Sequence, residues 1–570
     1  MERRLPALLF LLALALRLAY LYEQRHSPYF STLVLDAEEY AFLGAAFAKG
    51  EWAAGAQNTY VHGPLYPLVL AVFSLLGAGL TALRVFQALL GAASCVLVYW
   101  IARPLFQRPT PALAGFFSAG YWLLVFYTGE VQAPTLVVFL ELLLVALLLR
   151  HARRPSLGQA LGAGLLLGLL FVAHHTAVLL LPAAGWSLWR GSAPQPRRML
   201  LAGALGLLAV LGLSSLRTLF VQGTPLPFQG AWSLYLGTNP QADGTPFARQ
   251  GLDWQRLESL PHEAGMGGTP GEKARYYLGA AADFVVSHPA DYLELLYRKF
   301  RLFWHHFEVP VSEDLAYYQV HSRVLQLLPL GFGALAPLAL VGLAWGWVRR
   351  WEHTFLAGLI LSHLGAGLLF TVCARYRLPA LPLLLIFAAE GARQGAAALR
   401  QREMRRAGWW ALSLGAACAL VFTGVNPREA DPVRSAWLQG HVFMRRGEHA
   451  LAESAFLRGL EERGPDADVY NSLGAAREWL GREAEAEAAY RQALALAPDH
   501  ARPRLNLGKL YLKQGRLPEA AAEMKTALDC DPRPPAQYEG HLLLAQVYQR
   551  AGREAEARAA LARARSLAPR

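Results

Sequence analysis

The chain has 570 residues, of which 54% are hydrophobic and only 17% are charged, whereas about a quarter of an ordinary soluble domain is charged. The mean hydropathy of +0.25 therefore excludes a single soluble domain and indicates a membrane protein built from several parts. The net charge of +12 sits largely as arginines in short loops between apolar stretches. That placement is typical of charge that sets membrane topology, so we expect no nucleic-acid partner.

The apolar stretches predict an all-α membrane bundle. The first, 5–22, follows Arg3 and Arg4 and is predicted to be a retained anchor whose amino-terminal end faces the cytoplasm. About eleven stretches have the length and composition of a span, and they are 5–22, 83–101, 111–128, 131–149, 158–173, 175–189, 199–221, 325–348, 354–371, 378–392 and 408–425.

Residues 64–80 are apolar but short and interrupted by Pro64, Pro67 and Gly77. They form either a further span or a helix at the interface. If they do not cross, nearly all inter-span arginines fall on the cytoplasmic side, so we treat them as non-crossing. The segment 23–82, a long loop at 222–324, the turn at 373–377 and everything after about 425 then face the extracytoplasmic side.

An acidic cluster follows the first span. Asp36, Glu38 and Glu39 precede Tyr40, and 3.6-residue periodicity places Asp36, Glu39 and Tyr40 on one helix face. Carboxylates also favour the first turn of any helix, which is the structural alternative. Three carboxylates at a membrane boundary favour a general base, or a metal ligand paired with a phosphate.

Other polar residues lie on the same predicted face. His62, in the segment HGPLYP, is a candidate contact to a phosphate or sugar, while Tyr66 is either part of that pocket or an interfacial anchor. Glu130 stands beside a glycine between two spans, where an acid indicates function, and we expect it to face Asp36. His174 and His175 are not expected to bind a metal, because no third ligand lies nearby in sequence. One of the two is predicted to line a polar cavity instead.

Cations are found where the topology rule does not favour them. Arg375 and Arg377 flank Tyr376 in a turn on the extracytoplasmic side. Arginine binds phosphate in bidentate fashion, so this turn is the best candidate site for an anionic lipid head group. Lys299 and Arg301, in a mixed aromatic and cationic stretch, are further candidates for phosphate binding.

The character of the chain changes after Pro427. A period of 34 residues places glycines, prolines and large side chains in register over residues 433–570, with 426–432 as a linker. The period and the pattern resemble tetratricopeptide repeats, about four in number, and so predict an α-solenoid of helix pairs that binds a protein partner or acceptor. The in-register positions are Gly440, Gly474 and Gly508; Gly447, Gly481 and Gly515; and Pro498 and Pro532.

Taken together, the first span, the acidic motif, HGPLYP, the long loop ending in WHHFE and the turn RYRLPALP resemble the GT-C superfamily of membrane glycosyltransferases over roughly residues 1–425. Within it they are similar to the dolichyl-phosphate-mannose-protein mannosyltransferase-like enzymes, which include the bacterial aminoarabinose transferase of lipid A. The resemblance implies a polyprenyl-phosphate-linked sugar as donor, inversion at the sugar carbon, Asp36 as catalytic base, and Arg375 and Arg377 at the lipid phosphate. The second acid is open, with Glu39 and Glu130 as candidates.

The resemblance places the protein in the bacterial inner membrane as a multi-pass glycosyltransferase acting on its extracytoplasmic side. No cofactor is required by this chemistry, although a divalent metal is compatible with it. Two alternatives remain at this point. A non-catalytic membrane-anchored repeat scaffold explains the repeats but not the polar residues that converge on one face. A transporter predicts inverted repeats, which residues 1–425 do not show.

Overall fold

The computed structural model describes residues 4–54, 63–191, 195–222, 229–246, 252–267, 269–345, 350–424 and 435–567. Within these ranges the protein is entirely helical, as predicted, and the sole strand-like feature is an isolated bridge between Tyr121 and Leu330. The chain divides into two compact units. One comprises residues 1–247 and 278–432, and the other comprises residues 248–277 and 433–570.

The first unit contains the apolar helices. Four helices among the described residues are long and apolar enough to cross a membrane, so the predicted count of about eleven is not confirmed. They are Leu5–Gln24, Leu80–Ala102, Pro134–Arg153 and Pro196–Phe220, the last being the apolar part of helix Pro196–Gln222. Further helices of the unit form in the predicted apolar stretches: Leu157–Ala173, Leu181–Arg190, Phe332–Trp345, Trp351–Leu369, Leu381–Arg400 and Met404–Phe422.

Several predicted spans differ from the helices that form. The stretch 111–128 breaks at Tyr121, whose backbone is extended, into helices Thr110–Gly120 and Trp122–Phe126. The break leaves the Trp122 amide free to donate to the carbonyl of Leu330, at 3.4 Å. In the region 64–80 the helix is only Leu65–Leu75. Its 11 residues rise about 16 Å, short of a hydrocarbon core of about 30 Å.

Glycines allow pairs of apolar helices to approach closely. A Cβ atom on Gly164 would lie 1.9 Å from the carbonyl oxygen of Gly203, and one on Gly206 would lie 2.3 Å from that of Leu161. These contacts join helix Leu157–Ala173 to helix Pro196–Gln222. Small residues at such crossings let the two backbones touch, which is how apolar helices associate in lipid.

Further helices carry many of the polar residues. The long loop predicted at 222–324 is largely helical: it forms Gln229–Gly237, Pro289–Trp304 and Leu315–His321 in the first unit, Leu252–Glu263 in the second, and Pro270–Ser287, which spans the boundary between the units at residues 277 and 278. The acidic cluster opens helix Asp36–Ala48, and the arginine turn forms the short helix Ala374–Arg377. The remaining short elements are Pro28–Ser31, His175–Leu180, Arg323–Gln326 and Leu378–Ala380.

The second unit contains four helix pairs, and its periodic glycines have two different causes. Gly474 faces Tyr490 of the partner helix, where an added Cβ would lie 2.6 Å from the ring, and Gly508 faces Met524 in the same way. Gly481 and Gly515, by contrast, have φ angles of 77° and 78° at the turn within each pair, a conformation that favours glycine. The pairs are Ser435–Arg445 with His449–Arg463, Ala467–Trp479 with Glu483–Leu496, Ala501–Lys513 with Leu517–Cys530, and Pro534–Arg550 with Glu554–Leu567.

Candidate active site

Asp36 and Arg375 form the centre of the candidate site. They are 339 positions apart in sequence, yet the Arg375 Nη1 atom donates to the Asp36 Oδ2 atom at 2.5 Å. The side chains are 13% and 21% exposed for Arg375 and Asp36 respectively, so the pair is shielded but still reachable. Asp36 begins its helix, where the amide dipoles of the first turn favour a negative charge.

Two neutral side chains complete this group, which we call the Asp36 cluster: Asp36, Gln132, Ser312 and Arg375. Ser312 donates its hydroxyl to Asp36 at 3.1 Å, and Arg375 donates to the Oε1 atom of Gln132 at 3.2 Å. Gln132 in turn donates to Ser312 at 3.2 Å. The Asp36 carboxylate is therefore held in one orientation by an arginine and a serine that are themselves fixed.

Glu313 adjoins the Asp36 cluster as a second carboxylate. Its Oε1 atom lies 3.8 Å from Arg375 Nη1, and its other oxygen accepts from the backbone amides of Val311 and Ser312. The Oε1 atom is buried without a hydrogen-bond partner. One guanidinium thus faces two carboxylates, so the local charge is negative when Asp36 and Glu313 are both ionised.

Glu130 lies in a separate group of aromatic and cationic residues. Its carboxylate accepts a hydrogen bond from Tyr318 and is attracted by Arg84. Burial, together with repulsion from Glu313, raises the pKa of Glu130 to about 7, against these two opposing effects. The backbone around Glu130 is held by Gln87, whose amide donates to the carbonyl of Glu130 at 2.8 Å. A carboxyl group that titrates near neutrality is suited to proton transfer.

The other acidic residues and tyrosines line the same region. Glu38 and Glu39 share the first helical turn with Asp36. Tyr40 is buried, and its ring meets the ring of Tyr66 edge to face at 5.1 Å. Tyr66 donates its hydroxyl to Gln87 at 2.7 Å, which links it to the backbone that carries Glu130.

His174 contacts the arginine turn, and the ring of His175 stacks on that of His174 at 5.1 Å. The His174 ring meets Tyr376 at 4.8 Å, and its Nδ1 atom lies 2.6 Å from the Thr176 hydroxyl. The two nitrogens of His175 have no hydrogen-bond partner, and its ring contacts Phe370. His62 lies outside the described residues.

Arg377 does not join Arg375 at the Asp36 cluster. Its guanidinium is buried, pairs with Glu308 at 2.5 Å and donates to the carbonyls of Phe303 and His305 at 2.9 and 2.7 Å. It also lies over the Phe332 ring. All these contacts are inside the protein, so Arg377 fixes the segment 303–308 and does not face the carboxylate of Asp36.

Lys299 and Arg301 also lie away from the Asp36 cluster. Lys299 is buried, donates to the carbonyl of Leu368 at 2.8 Å, and has its pKa lowered by burial to about 7. Arg301 donates to the backbone and the hydroxyl of Thr423 at the end of helix Met404–Phe422. Of the four predicted phosphate-binding cations, only Arg375 contacts a predicted catalytic residue within the described part of the chain.

Sequence reasoning missed Gln132, Ser312 and Glu313. The signal for two of them was the polar run Ser312-Glu313-Asp314, which follows the WHHFE stretch. Asp314 caps helix Leu315–His321, and its carboxylate accepts a hydrogen bond from the Tyr29 hydroxyl at 2.7 Å. Within the described ranges, no three or more His, Cys, Asp or Glu residues are grouped so as to hold a metal ion.

Comparison with known proteins finds family matches in both parts of the chain. Residues 61–215 match the family described as dolichyl-phosphate-mannose-protein mannosyltransferase, and residues 437–501 and 480–540 match tetratricopeptide repeat families. The chain therefore combines a mannosyltransferase-like membrane region with carboxy-terminal tetratricopeptide repeats, which confirms the resemblance stated from the sequence. Glu130, Gln132 and Tyr66 fall within the matched region, whereas Asp36, Ser312 and Arg375 lie outside it.

Individual relatives are more distant. The chain is 41% identical over 69 residues to a probable biofilm formation methyltransferase, WspC, of Pseudomonas aeruginosa, and this match covers 12% of the chain and 16% of that protein. Among solved structures, MamA is 21% identical with a TM-score of 0.22, covering 24% of this chain and 81% of that one. BtubC of P. vanneervenii is 20% identical with a TM-score of 0.23, covering 30% and 76%.

Proposed function

We propose that this protein is an inverting glycosyltransferase that moves a sugar from a polyprenyl phosphate to an acceptor on the extracytoplasmic face of a bacterial inner membrane. The observation that carries the proposal is the contact between Asp36 and Arg375, a base and a phosphate-binding cation brought together from distant parts of the chain. The mannosyltransferase-like region at 61–215 supports glycosyl transfer as the reaction class.

Each residue of the Asp36 cluster has a part in the proposed reaction. The Asp36 carboxylate takes the proton of the acceptor hydroxyl as that oxygen attacks the anomeric carbon. The bond between that carbon and the phosphate oxygen breaks, and its electron pair stays on the departing lipid phosphate. Arg375 stabilises the phosphate. Attack on the face opposite the leaving group inverts the sugar carbon.

Arg375 must serve two anions during this cycle. In the structure it pairs with Asp36 and lies near Glu313, so a phosphate entering the site competes with carboxylates for one guanidinium. Ser312 retains its hydrogen bond to Asp36 throughout, which keeps the carboxylate aimed while Arg375 turns to the phosphate.

Glu130 is the proposed second acid or base. Its pKa of about 7 suits a group that exchanges protons near neutrality. Asp36 is paired with an arginine instead, and two carboxyl groups in unlike environments commonly divide the acid and base roles. The repeats are proposed to recruit a protein acceptor or partner, as tetratricopeptide arrays bind peptides along an extended surface.

The test replaces Asp36 in a deletion strain complemented with plasmid-borne variants. Asp36→Asn keeps the size and removes the base, so we expect transfer to fall by about 10²–10⁴-fold with normal protein abundance. Glu51→Gln, at an exposed carboxylate beyond the same helix, is the matched control and should transfer normally.

Mass spectrometry of envelope proteins and lipids is the measurement, because it detects a missing sugar mass whatever the donor and the acceptor are. Wild-type protein should restore the mass and Asp36→Asn should not. Full restoration by Asp36→Asn would instead support the scaffold alternative.

A further inference from the structure

The helix Leu252–Glu263 comes from the long loop but belongs to the repeat unit. It lies along the turns that join successive repeats, an edge we define by Asp468, Asp499, Ala501, Cys530 and Arg533 and call the inter-repeat edge. Leu252 and Leu257 are only 7% and 6% exposed. This is a packed surface, and it is occupied by the chain's own helix.

Gln255 makes the most specific contact at this inter-repeat edge. Its amide nitrogen donates to the carbonyls of Asp499 and Cys530 at 3.2 and 3.3 Å, and its oxygen accepts from the amide of Ala501 at 3.3 Å. The side chain is buried, so one glutamine satisfies backbone groups at two consecutive turns. Helix ends leave such groups without partners unless a side chain supplies them.

Two residues of opposite charge, Arg256 and Glu258, follow Gln255 in the helix. Arg256 donates to both carboxylate oxygens of Asp499 at 2.9 Å each, and Glu258 pairs with Arg533. The Leu252 amide, at the start of the helix, donates to the Asp468 carboxylate at 3.2 Å. Arg256 and Glu258 each contact a group of opposite charge on the inter-repeat edge, and the amide at the helix start contacts a carboxylate there. These three contacts fix the position of the helix along the edge.

The helix depends on this edge for its order. It has 12 residues with Pro261 inside it, and isolated helices of this length are marginal in water. Tyr277, in the next helix, donates its hydroxyl to the carbonyl of Leu257 at 3.0 Å and so anchors the following segment.

We propose that the inter-repeat edge is a binding site for the loop helix Leu252–Glu263, and that the repeats act on their own chain by holding this helix as a latch. A protein partner that uses the same edge must displace the helix. The inference goes beyond the proposed reaction and does not depend on it.

The experiment is hydrogen–deuterium exchange of the full-length protein in detergent. In wild-type protein the amides of 252–263 should be protected. Gln255→Ala and Arg256→Glu should each raise their exchange about tenfold, because buried backbone groups lose their partners in the first variant and like charges face each other in the second. Arg275→Glu, the same charge reversal at an exposed position of the next helix, should change nothing.

A second substitution tests the pairing directly. Asp499→Arg added to Arg256→Glu restores opposite charges and should recover most of the protection. Protection of the repeat core around Leu507 and Met524 reports whether each variant has folded. If Arg256→Glu does not fold, the exchange of Gln255→Ala, which alters no charge, decides the test.

Unprotected amides at 252–263 in wild-type protein, or equal protection in Gln255→Ala, would overturn the latch. Because exchange needs no substrate, this result is independent of whether the chain transfers a sugar.

Discussion

Two arginines that are two positions apart have different surroundings. Arg375 is bonded to Asp36 and Gln132 in a partly exposed cluster, whereas Arg377 is buried against Glu308 and backbone carbonyls. A positively charged residue in the first setting can exchange one anion for another. In the second setting the arginine has a structural role, because removing it would leave the buried carboxylate of Glu308 unpaired.

We therefore expect Arg377→Gln to reduce stability rather than chemistry. The unpaired Glu308 should cost roughly 3–5 kcal/mol, seen as lower abundance and a lower midpoint in a thermal-shift assay. The double variant Arg377→Gln with Glu308→Gln should recover part of the loss, since no charge is then left unpaired. Arg375→Gln should fold and fail to transfer; equal loss of stability in both arginine variants would contradict this distinction.

The pKa of Glu130 leads to a prediction about the pH dependence of transfer. With a pKa of about 7, Glu130 acting as a base should make the rate rise as pH increases through 7, and Glu130 acting as an acid should make it fall. In either case Glu130→Gln should lose this limb. The Tyr318 hydrogen bond favours the ionised form, so Tyr318→Phe should raise the pKa and move the limb to higher pH. Rates measured across the neutral range, on both sides of that pKa, check both shifts. A limb that persists in Glu130→Gln assigns the titration to another group.

From the sequence, Asp36 and Arg375 were named as candidates, but most of their contacts in the structure were not predicted. Asp36 and Arg375 were inferred because both fell on one predicted face of the membrane. Arg375 and Arg377 are indistinguishable by charge and position in the motif RYR, and only packing against Glu308 and Phe332 separates them. Gln132 and Ser312 were missed because their hydrogen-bond partners are far away in the chain.

At the scale of helices, periodic patterns predicted more than hydropathy did. The 34-residue period located the repeat helices because each repeated glycine has a local cause, either a tight turn or a large side chain in the paired helix. Apolar length, by contrast, did not predict the break at Tyr121, where the tyrosine hydroxyl donates a hydrogen bond to Glu308 at 2.8 Å. That partner is remote in sequence, so no local window contains the information.

The glycine contacts between apolar helices predict a position-dependent effect of alanine. Gly164→Ala places a methyl group against the backbone of Gly203 and should destabilise the protein by roughly 1–3 kcal/mol. Gly212→Ala, on helix Pro196–Gln222 where an added Cβ meets nothing within 4 Å, is the matched control and should be neutral or stabilising. Thermal unfolding in detergent measures both. Similar midpoints for the two variants would show that the helices do not cross at Gly164.

At the scale of the whole molecule, the predicted topology places the amino terminus and the carboxy-terminal repeats on opposite sides of the membrane. An odd number of spans after a cytoplasmic start places the repeats on the extracytoplasmic side. A reporter that works only in the periplasm, fused after Arg570, should therefore be active, and a cytoplasm-dependent reporter at the same point should be silent. The opposite result would reverse the side assigned to the repeats and reopen the question of whether 64–80 crosses.

The repeat unit is assembled from two separated stretches of one polypeptide, and this affects how it can be produced in isolation. A recombinant fragment that begins near residue 435 lacks Gln255 and the leucines that cover the inter-repeat turns. Such a fragment presents an uncovered surface, so any binder it captures in a pull-down can simply be a substitute for the missing helix. Supplying residues 252–277 as a peptide, or joining them through a flexible linker, gives bait whose remaining surface resembles that of the intact protein.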